Sequence, residues 1–404
     1  MRILYLSPWF PYPLDTGSRI RVYYLMKAMS QRHQVTLLTL DAQGWAPAQV
    51  DAVASLCEHM AVVPQDPFRR GRWRTATRFF SLSPVVTTPI SEMTRLVQRL
   101  HVEQPFEVVM AASTVMAPYT LALPGVLRVL EEHNSNTRWM YDRYHMQTAI
   151  LQRMRCWASW RKSALYESHL FPRFDFITMV SAQDADVSRR LLRDGYPPVE
   201  VLPNGVDCGH NCFGLAQPML HSLIFNGALT YSANYDAMKY FLVEIYPLIR
   251  RQAPDVSLTI TGSTSGVDLS GLQLDENVHL SGYVGDVRAL VAGASACVVP
   301  IREGGGTRLK ILEAMALGTP VVATAKGAEG LDVTNGEHLL LADTPMAFAD
   351  HVLQLLRDSA LRQQLVTNAR RLVEQHYDWT QIGQRFVNLV EDIASRRAGR
   401  GVLS

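Results

Sequence analysis

The chain has 404 residues, of which 48% are hydrophobic and 19% charged, and its formal net charge is +2. A chain of this length exceeds what one hydrophobic core usually organises, so two domains are expected. The composition is typical of globular proteins and excludes disordered and fibrous classes, and the small net charge argues against nucleic acid as a partner.

Short apolar runs alternate with longer helical patterns along the whole chain, which predicts parallel sheets covered by helices. The runs of the first half are RILYLS, QVTLLTL, AVVP, FEVVMAA, VLRVLEE and FDFITMVS. After a loop around residues 205–220, a second series contains SLIFNGA, VSLTITG, VHLSG, ACVVP, PVVAT and EHLLLA. No stretch approaches about 18 uninterrupted apolar residues, so no membrane span is expected.

This pattern predicts an α/β protein with two doubly wound, Rossmann-like domains. We place them at residues 1–212 and 213–378, followed by a terminal helix and tail at 379–404. Open α/β sheets bind ligands beyond the carboxyl ends of their strands, so a cleft between two such edges is the expected ligand site.

The first loop that could reach a ligand is PYPLDTGSRIR, which follows the first strand and opens a helix. Gly17 and Ser18 would present backbone N–H groups there, as helix starts that bind phosphate do. An ordinary turn fits the spacing equally well.

Two segments of the first half combine arginine with aromatic residues. Residues 68–80 hold five arginines among tryptophan and phenylalanine, and residues 138–162 repeat the mixture on a predicted helix. This composition is typical of patches that contact a membrane surface. A solvated helix face with buried tryptophans is an equally good interpretation.

Other candidates carry weaker signals. His133 follows a strand, where a lone histidine is more often structural. Asp184 and Asp186 have the spacing of a metal-binding pair, but acidic residues that open a helix are expected from the helix dipole.

The cysteines favour a structural interpretation as well. Cys208 and Cys212 flank a histidine, but no second ligand pair stands at zinc-site spacing elsewhere, which favours a plain loop. The five cysteines are an odd number in a chain without a recognisable secretory signal. They predict a reduced, cytoplasmic compartment.

The strongest signal is EGGGTRLKILEAMALGTPVV, which starts at residue 303. It predicts a loop followed by a helix with Thr307 as N-cap. Arg308 and Lys310 then fall in the first helical turn, where each works against the helix dipole by about 0.3 to 1 kcal/mol. An anion bound at this helix start would make the two cations favourable instead of unfavourable.

The neighbouring residues point to a diphosphate as that anion. Gly304, Gly305 and Gly306 allow backbone N–H groups to approach a ligand closely. Glu313 lies on the same helical face as Lys310 and is suited to accept hydrogen bonds from ribose hydroxyls. A nucleoside diphosphate is therefore indicated, although a glycine-rich turn before a surface helix remains an alternative.

The glycine loop matches neither common nucleotide-binding fingerprint. It lacks the GK[ST] ending of a P-loop, and Leu309 stands where the third glycine of GxGxxG would be, which disfavours a dinucleotide enzyme.

The segment Pro300–Leu331 closely resembles the donor-site region of GT-B retaining glycosyltransferases of the group 1, or family 4, class. The resemblance extends to ILYLSPWFPYPLDTGSRIRVYYL, VLPNGVD, FNGALTYSANYDAMKYF and YDWTQIGQRF. It implies a nucleotide-sugar donor on the second domain and a glycan or lipid-linked acceptor on the first. It also implies that the terminal helix returns to the first domain, and that neither a metal nor a cofactor is needed.

The resemblance also assigns roles to single residues. Arg308 and Lys310 would stabilise the leaving diphosphate, and His133 would contact the donor sugar. Gly327 and Glu329 would shape the sugar pocket. Many relatives carry a glutamate eight residues before Glu313.

The chain departs from that pattern, because Gly305 occupies the position of the missing glutamate. Glu303, two residues earlier, is the candidate to replace it. Two alternatives stay open at this stage: a sugar-nucleotide 2-epimerase of the same architecture, and an inactive nucleotide-sugar-binding module.

Overall fold

The computed structural model describes residues 1–42, 44–68, 89–192, 195–304 and 306–401. Gly305 and residues 69–80 of the first arginine-rich segment, both singled out from the sequence, lie outside the described residues. The chain divides into two compact units, one formed by Met1–Asn204 with Ile382–Ser404 and the other by Gly205–Gln381.

The first unit contains a parallel sheet of seven strands in the order β3-β2-β1-β4-β5-β6-β7. The strands are β1 Arg2–Ser7, β2 Gln34–Leu40, β3 His59–Val63, β4 Val108–Ala112, β5 Leu127–Glu131, β6 Phe176–Met179 and β7 Val199–Val201. Most are buried along nearly their whole length, which explains their continuous apolar runs. The strand order reverses between β1 and β4, where doubly wound sheets bind ligands.

The described helices of this unit connect the strands. They are α1 Gly17–Ser30, α2 Pro47–Ala54, α3 Ser91–Glu103, α4 Ala117–Thr120, α5 Asn136–Met146, α6 Ile150–Leu170 and α7 Ala182–Leu191, with a 3₁₀ turn at Phe171–Arg173.

The second unit has a six-stranded parallel sheet in the order β10-β9-β8-β11-β12-β13. Its strands are β8 Ser222–Asn226, β9 Ser257–Thr261, β10 Val278–Gly282, β11 Ala296–Val299, β12 Val321–Ala323 and β13 Leu340–Leu341. Here the order reverses between β8 and β11. The prediction of two doubly wound α/β sheets is confirmed.

The remaining helices are described in chain order. They are α8 Ser232–Tyr240, α9 Tyr246–Gln252, α10 Arg288–Ala292, α11 Leu309–Leu317, α12 Pro345–Arg357, α13 Ser359–Leu372 and α14 Trp379–Gly401, with π-helical turns at Phe241–Ile245 and Val373–Tyr377. Across the described ranges, none of the helices combines the length and hydropathy needed to cross a bilayer.

The units divide between Asn204 and Gly205, earlier than the boundary at 212/213 drawn from the sequence. Hydrogen bonds hold the segment between these two positions to the second unit. The Arg370 guanidinium donates to the carbonyl oxygens of Cys208 at 3.0 Å and Asn211 at 2.6 Å.

The part of α14 from Ile382 onward packs within the first unit. Glu391 accepts from Arg32 Nη2 at 2.6 Å and lies 3.1 Å from His33 Nε2. A Cβ atom added at Gly383 would lie 2.5 Å from Ala28 Cβ, so glycine allows α14 to approach α1 closely there.

A fully buried ion pair fastens α1 to the sheet of the first unit. Arg21 on α1 pairs with Glu131 at the end of β5, and neither side chain is exposed to solvent. The guanidinium also donates to the carbonyl oxygen of Leu202 at 2.9 Å and to Asn204 Oδ1 at 3.1 Å. Burial alone would raise the pKa of Glu131, but Arg21 and His133 outweigh it and lower that pKa to about 2.

We expect Glu131→Gln to destabilise the first unit by about 3 to 5 kcal/mol, because it leaves the Arg21 charge buried without a counter-ion. Urea unfolding followed by tryptophan fluorescence measures this loss. The matched control is Asp15→Asn, which removes a solvent-accessible pair to Arg19 at 2.9 Å and should cost less than about 1 kcal/mol. Equal losses for both variants would contradict the importance of the buried pair.

Candidate active site

The candidate site of the second unit lies at the carboxyl edge of its sheet. Strands β8 and β11 are direct neighbours, with Ala296 paired to Leu223 and Cys297 to Ile224. The loops that follow them start side by side, at the point where the strand order reverses. The first of these loops leads into α8 and the second into α11, so both helices begin at this edge.

Helix α11 begins later than the sequence predicts. Arg308 is its N-cap residue, with φ −85° and ψ 88° and no side-chain cap, and the first helical residue is Leu309. The assignment of Thr307 as N-cap is therefore wrong, because Gly304 and Gly306 adopt left-handed φ values of 93° and 80° and delay the helical turn. Among the described residues no side chain caps the first N–H groups of this helix, an arrangement that suits an anion.

Thr307 has a different place in the site. Its Oγ1 atom is buried and has no hydrogen-bond partner among the described residues. A buried hydroxyl without a partner is costly, so a ligand group at this position would stabilise it.

Lys310 is the central cation of the site. Its Nζ atom donates to Asn234 Oδ1 at 3.0 Å and lies 3.9 Å from the centre of the Phe225 ring. In the described part of the chain, this ammonium forms no salt bridge with a carboxylate. Burial lowers the pKa of Lys310 to about 7, and the positive charge of Arg308 acts in the same direction. An anionic ligand would restore the full charge of this lysine.

Arg308 lies over the glycine loop. Its Nη2 atom donates to the carbonyl oxygens of Glu303 at 3.1 Å and Gly304 at 2.8 Å. A Cβ atom at Gly304 would lie 3.2 Å from the guanidinium, so glycine permits this close contact. Burial lowers the pKa of Arg308, and Glu329 opposes that effect. Glu303 thus contributes a main-chain oxygen to the loop.

The Glu313 side chain is held by polar residues at the ends of two neighbouring strands, β8 and β9. Its Oε2 atom accepts from Asn226 Nδ2 at 2.8 Å, and Asn226 Oδ1 accepts in turn from the Thr261 hydroxyl at 3.0 Å. Burial raises the pKa of Glu313, whereas Lys310 and the Asn226 hydrogen bond lower it. Among the described residues the hydrogen bonds use only Oε2, so Oε1 is open to a hydroxyl donor.

Gly327 and Glu329 both have local structural partners. A Cβ atom at Gly327 would lie 2.7 Å from the carbonyl oxygen of Val299 and 3.0 Å from Thr324 Oγ1. Packing beside the end of β11 therefore accounts for this glycine. Glu329 accepts from Lys326 Nζ at 2.6 Å, so its carboxylate is engaged in an ion pair.

The other predicted residues belong to the first unit. Gly17 and Ser18 are the first two residues of α1, and the side chain of the N-cap residue Thr16 makes no capping hydrogen bond. His133 follows β5, with Nε2 at 3.1 Å from Glu131 Oε2 and its ring centre 5.1 Å from that of Trp9. The ion pair of Arg21 and Glu131 therefore orients this histidine.

Asp184 and Asp186 lie in the first turns of α7 and have local partners there. Ser181 caps this helix, and its hydroxyl donates to Asp184 Oδ2 at 2.7 Å. Asp186 pairs with Arg189 at 2.9 Å. Both carboxylates thus have the structural partners that a helix start predicts.

Sequence reasoning missed the uncharged residues that hold the charged ones. These are Asn226, Gly227, Asn234 and Thr261 in the second unit, and Trp9 in the first. A Cβ atom at Gly227 would lie 2.5 Å from Lys310 Nζ, so this glycine makes room for the ammonium. The Asn-Gly pair at the end of a strand, in FNGALTYSANYD, was the available signal.

Comparison with known proteins assigns these features to a family. The family model described as Glycosyltransferase Family 4 matches residues 16–210, and the one described as Glycosyl transferases group 1 matches residues 221–358. The chain is 20% identical over 397 residues to an uncharacterized 44.6 kDa protein in the cps region of Klebsiella pneumoniae, which covers 93% of this chain and 96% of that protein.

Two further proteins are similar over different lengths. The chain is 32% identical over 160 residues to phosphatidyl-myo-inositol mannosyltransferase of Mycobacterium leprae, which covers 38% of this chain and 42% of that protein. The crystal structure of Anabaena HepE in complex with UDP and glucose aligns with a TM-score of 0.66 at 16% identity, over 97% of this chain and 100% of that one. Because the two family models match most of both units, the chain belongs to the group 1, family 4 glycosyltransferases of GT-B architecture.

Proposed function

We propose that the protein transfers a sugar from a nucleoside-diphosphate sugar to a hydroxyl of a glycan or lipid-linked acceptor, with retention of anomeric configuration. The observation that carries this proposal is Lys310, a partly buried cation at the start of α11 whose polar contact is an amide oxygen. The HepE complex with UDP and glucose supports a nucleotide-sugar donor.

The relatives also support a role in making cell-surface glycans. One lies in a cps region, and another is a phosphatidyl-myo-inositol mannosyltransferase. We therefore propose that the product is a surface polysaccharide or glycoconjugate. A cytoplasmic location remains a prediction.

In this reaction the bond between the anomeric carbon and the diphosphate oxygen breaks, and the acceptor oxygen bonds to that carbon. Negative charge grows on the leaving diphosphate as this happens. Lys310, Arg308 and the N–H groups that open α11 would stabilise that charge without a metal ion. Glu313, held by Asn226, would accept the ribose hydroxyls.

The remaining assignments follow from the family resemblance. His133 and Glu303 would act on the donor sugar, and the buried pair to Glu131 would keep the His133 ring in place. The other proposed donor-binding residues are Gly17, Ser18, Gly304, Gly305, Gly306, Thr307, Gly327 and Glu329.

Two alternatives are distinguished by product analysis. A sugar-nucleotide 2-epimerase would convert the nucleotide sugar in the absence of any acceptor. An inactive binding module would bind the nucleotide sugar and give no product with any acceptor. We expect transfer that requires an acceptor, and conversion of the donor alone would contradict the transferase proposal.

A thermal-shift screen of nucleotide sugars tests the phosphate-binding residues. A ligand that binds only the folded protein raises its melting temperature. We expect Lys310→Met and Arg308→Ala to abolish this increase, because loss of a charged hydrogen-bond partner at a buried site costs about 2 to 5 kcal/mol of binding. The control is Lys239→Met, an exposed lysine on α8, which should respond like the wild type. Unchanged stabilisation in both site variants would exclude this phosphate site.

Donor affinity should depend on pH through Lys310. Below pH 7 the lysine of the free protein is already protonated, since burial lowers its pKa to about 7, and affinity should be constant. Above that pH Lys310 is deprotonated in the free protein but protonated in the complex, so binding takes up a proton and affinity should fall by up to about tenfold per pH unit. Calorimetry in buffers of different ionisation enthalpy should detect proton uptake, and Lys310→Met should lose it. A flat profile in the wild type would contradict this account.

A permanent counter-ion should weaken donor binding. Asn234→Asp places a carboxylate where the wild type has an amide oxygen 3.0 Å from Lys310 Nζ. We expect it to raise the lysine pKa, keep the protein folded and reduce donor affinity at least about tenfold, or 1.4 kcal/mol. Asn234→Ala removes the amide without adding charge and should bind the donor better than Asn234→Asp. The reverse order would contradict the electrostatic explanation.

A further inference from the structure

The helices α5 and α6 form a hairpin whose base is buried in the first unit. At the base, the Thr137 hydroxyl donates to Glu167 Oε2 at 2.6 Å, and both residues are buried. Farther along, the Trp160 ring packs against Tyr141 and Tyr144, with ring centres 5.0 and 6.0 Å apart. These contacts hold the two helices together as one element.

The turn of this hairpin exposes apolar side chains instead of polar ones. Ile150 is 76% exposed, Leu151 82% and Met154 63%. Met146 and Trp157 flank them and are about half exposed. We call the stretch 146–157 the hairpin tip. A contiguous exposed apolar patch of this kind marks an interaction surface.

The tip is surrounded by positive charge. Between residues 143 and 161 the chain has four arginines and no aspartate or glutamate. The guanidinium of Arg143 lies 5.2 Å from the ring centre of Trp139, and that of Arg153 lies 5.0 Å from the ring centre of Tyr144. Arginine side chains that lie along aromatic rings keep an apolar body beside a charged head.

We propose that the hairpin tip docks onto an anionic phospholipid bilayer. Ile150, Leu151 and Met154 would enter the boundary between headgroups and acyl chains, and the surrounding arginines would contact the headgroup phosphates. The combination of an apolar tip, flanking tryptophan and tyrosine rings, and cations matches the chemistry of that boundary.

Charge favours a bilayer over a second copy of the chain. In a symmetric dimer the same patch would face itself, and the four arginines of one copy would oppose those of the other. An anionic surface satisfies both the apolar tip and the arginines. This proposal is independent of the transferase reaction, because binding to lipid can be measured without turnover.

Co-sedimentation of the full chain with lipid vesicles tests the proposal. The probes are vesicles of phosphatidylcholine alone and of phosphatidylcholine mixed equally with phosphatidylglycerol. We expect strong binding to the mixed vesicles, weak binding to the neutral ones, and partial release by salt. Absence of binding to the mixed vesicles would overturn the proposal.

Three variants locate the contact. Ile150→Asp with Leu151→Asp should reduce binding to the mixed vesicles at least tenfold, because it removes the apolar insertion and adds repulsive charge. Arg153→Gln with Arg155→Gln should weaken binding severalfold and reduce its salt sensitivity. The matched control is Val102→Asp on α3, whose side chain is also 82% exposed and should leave binding unchanged.

Folding and assembly are checked on the same samples. All variants should keep the wild-type far-ultraviolet circular dichroism and melting temperature, since the substituted side chains are exposed. Sedimentation velocity without lipid should give a monomer. A dimer that the tip variants dissociate would overturn the proposal in favour of a second copy, and so would tip variants that bind vesicles like the wild type.

Discussion

The chemistry of the second unit depends on one constraint, the positive charge of Lys310 in a partly buried site. The protein supplies an amide oxygen and an aromatic ring to this ammonium. These groups orient the side chain but do not neutralise it, and burial therefore lowers its pKa to about 7. Gly227 makes room for the ammonium itself, and the glycine loop and the start of α11 leave room for an anion beside it.

In the first unit, by contrast, the buried cation Arg21 forms a direct ion pair. Arg21, on the helix that follows β1, is fully buried and has its own carboxylate in Glu131. Because that charge is balanced internally, Arg21 can fasten α1 to the sheet and orient His133 through Glu131. The comparison separates two roles for a buried cation: Arg21, in a direct ion pair, holds the fold together, whereas Lys310, which forms no salt bridge with any described carboxylate, is suited to bind a ligand.

Local sequence was sufficient for twelve of the thirteen described strands, all but the short β7, and for the charged residues of α11. Apolar runs predict buried parallel strands, and helical spacing places Lys310 and Glu313 on one face. The Asn-Gly pair marked the segment of Asn226 and Asn234, but the contacts of Asn226, Thr261 and Asn234 could not be assigned from the sequence, because they depend on β8 lying between β9 and β11 in the sheet. The error at Thr307 has a similar cause, since residue type favours a cap but the left-handed glycines delay the helix.

One ligand can stabilise the charged forms of both ionisable side chains of α11, Lys310 and Glu313. Burial pulls both toward their neutral forms, lowering the pKa of Lys310 and raising that of Glu313. An anion near Lys310 and hydroxyl donors near Glu313 would each restore the charged form. Inorganic diphosphate offers only the anion, and a nucleoside only the hydroxyls. A nucleoside diphosphate carries both in one molecule, so a single ligand of this class can restore the charged forms of Lys310 and Glu313 together.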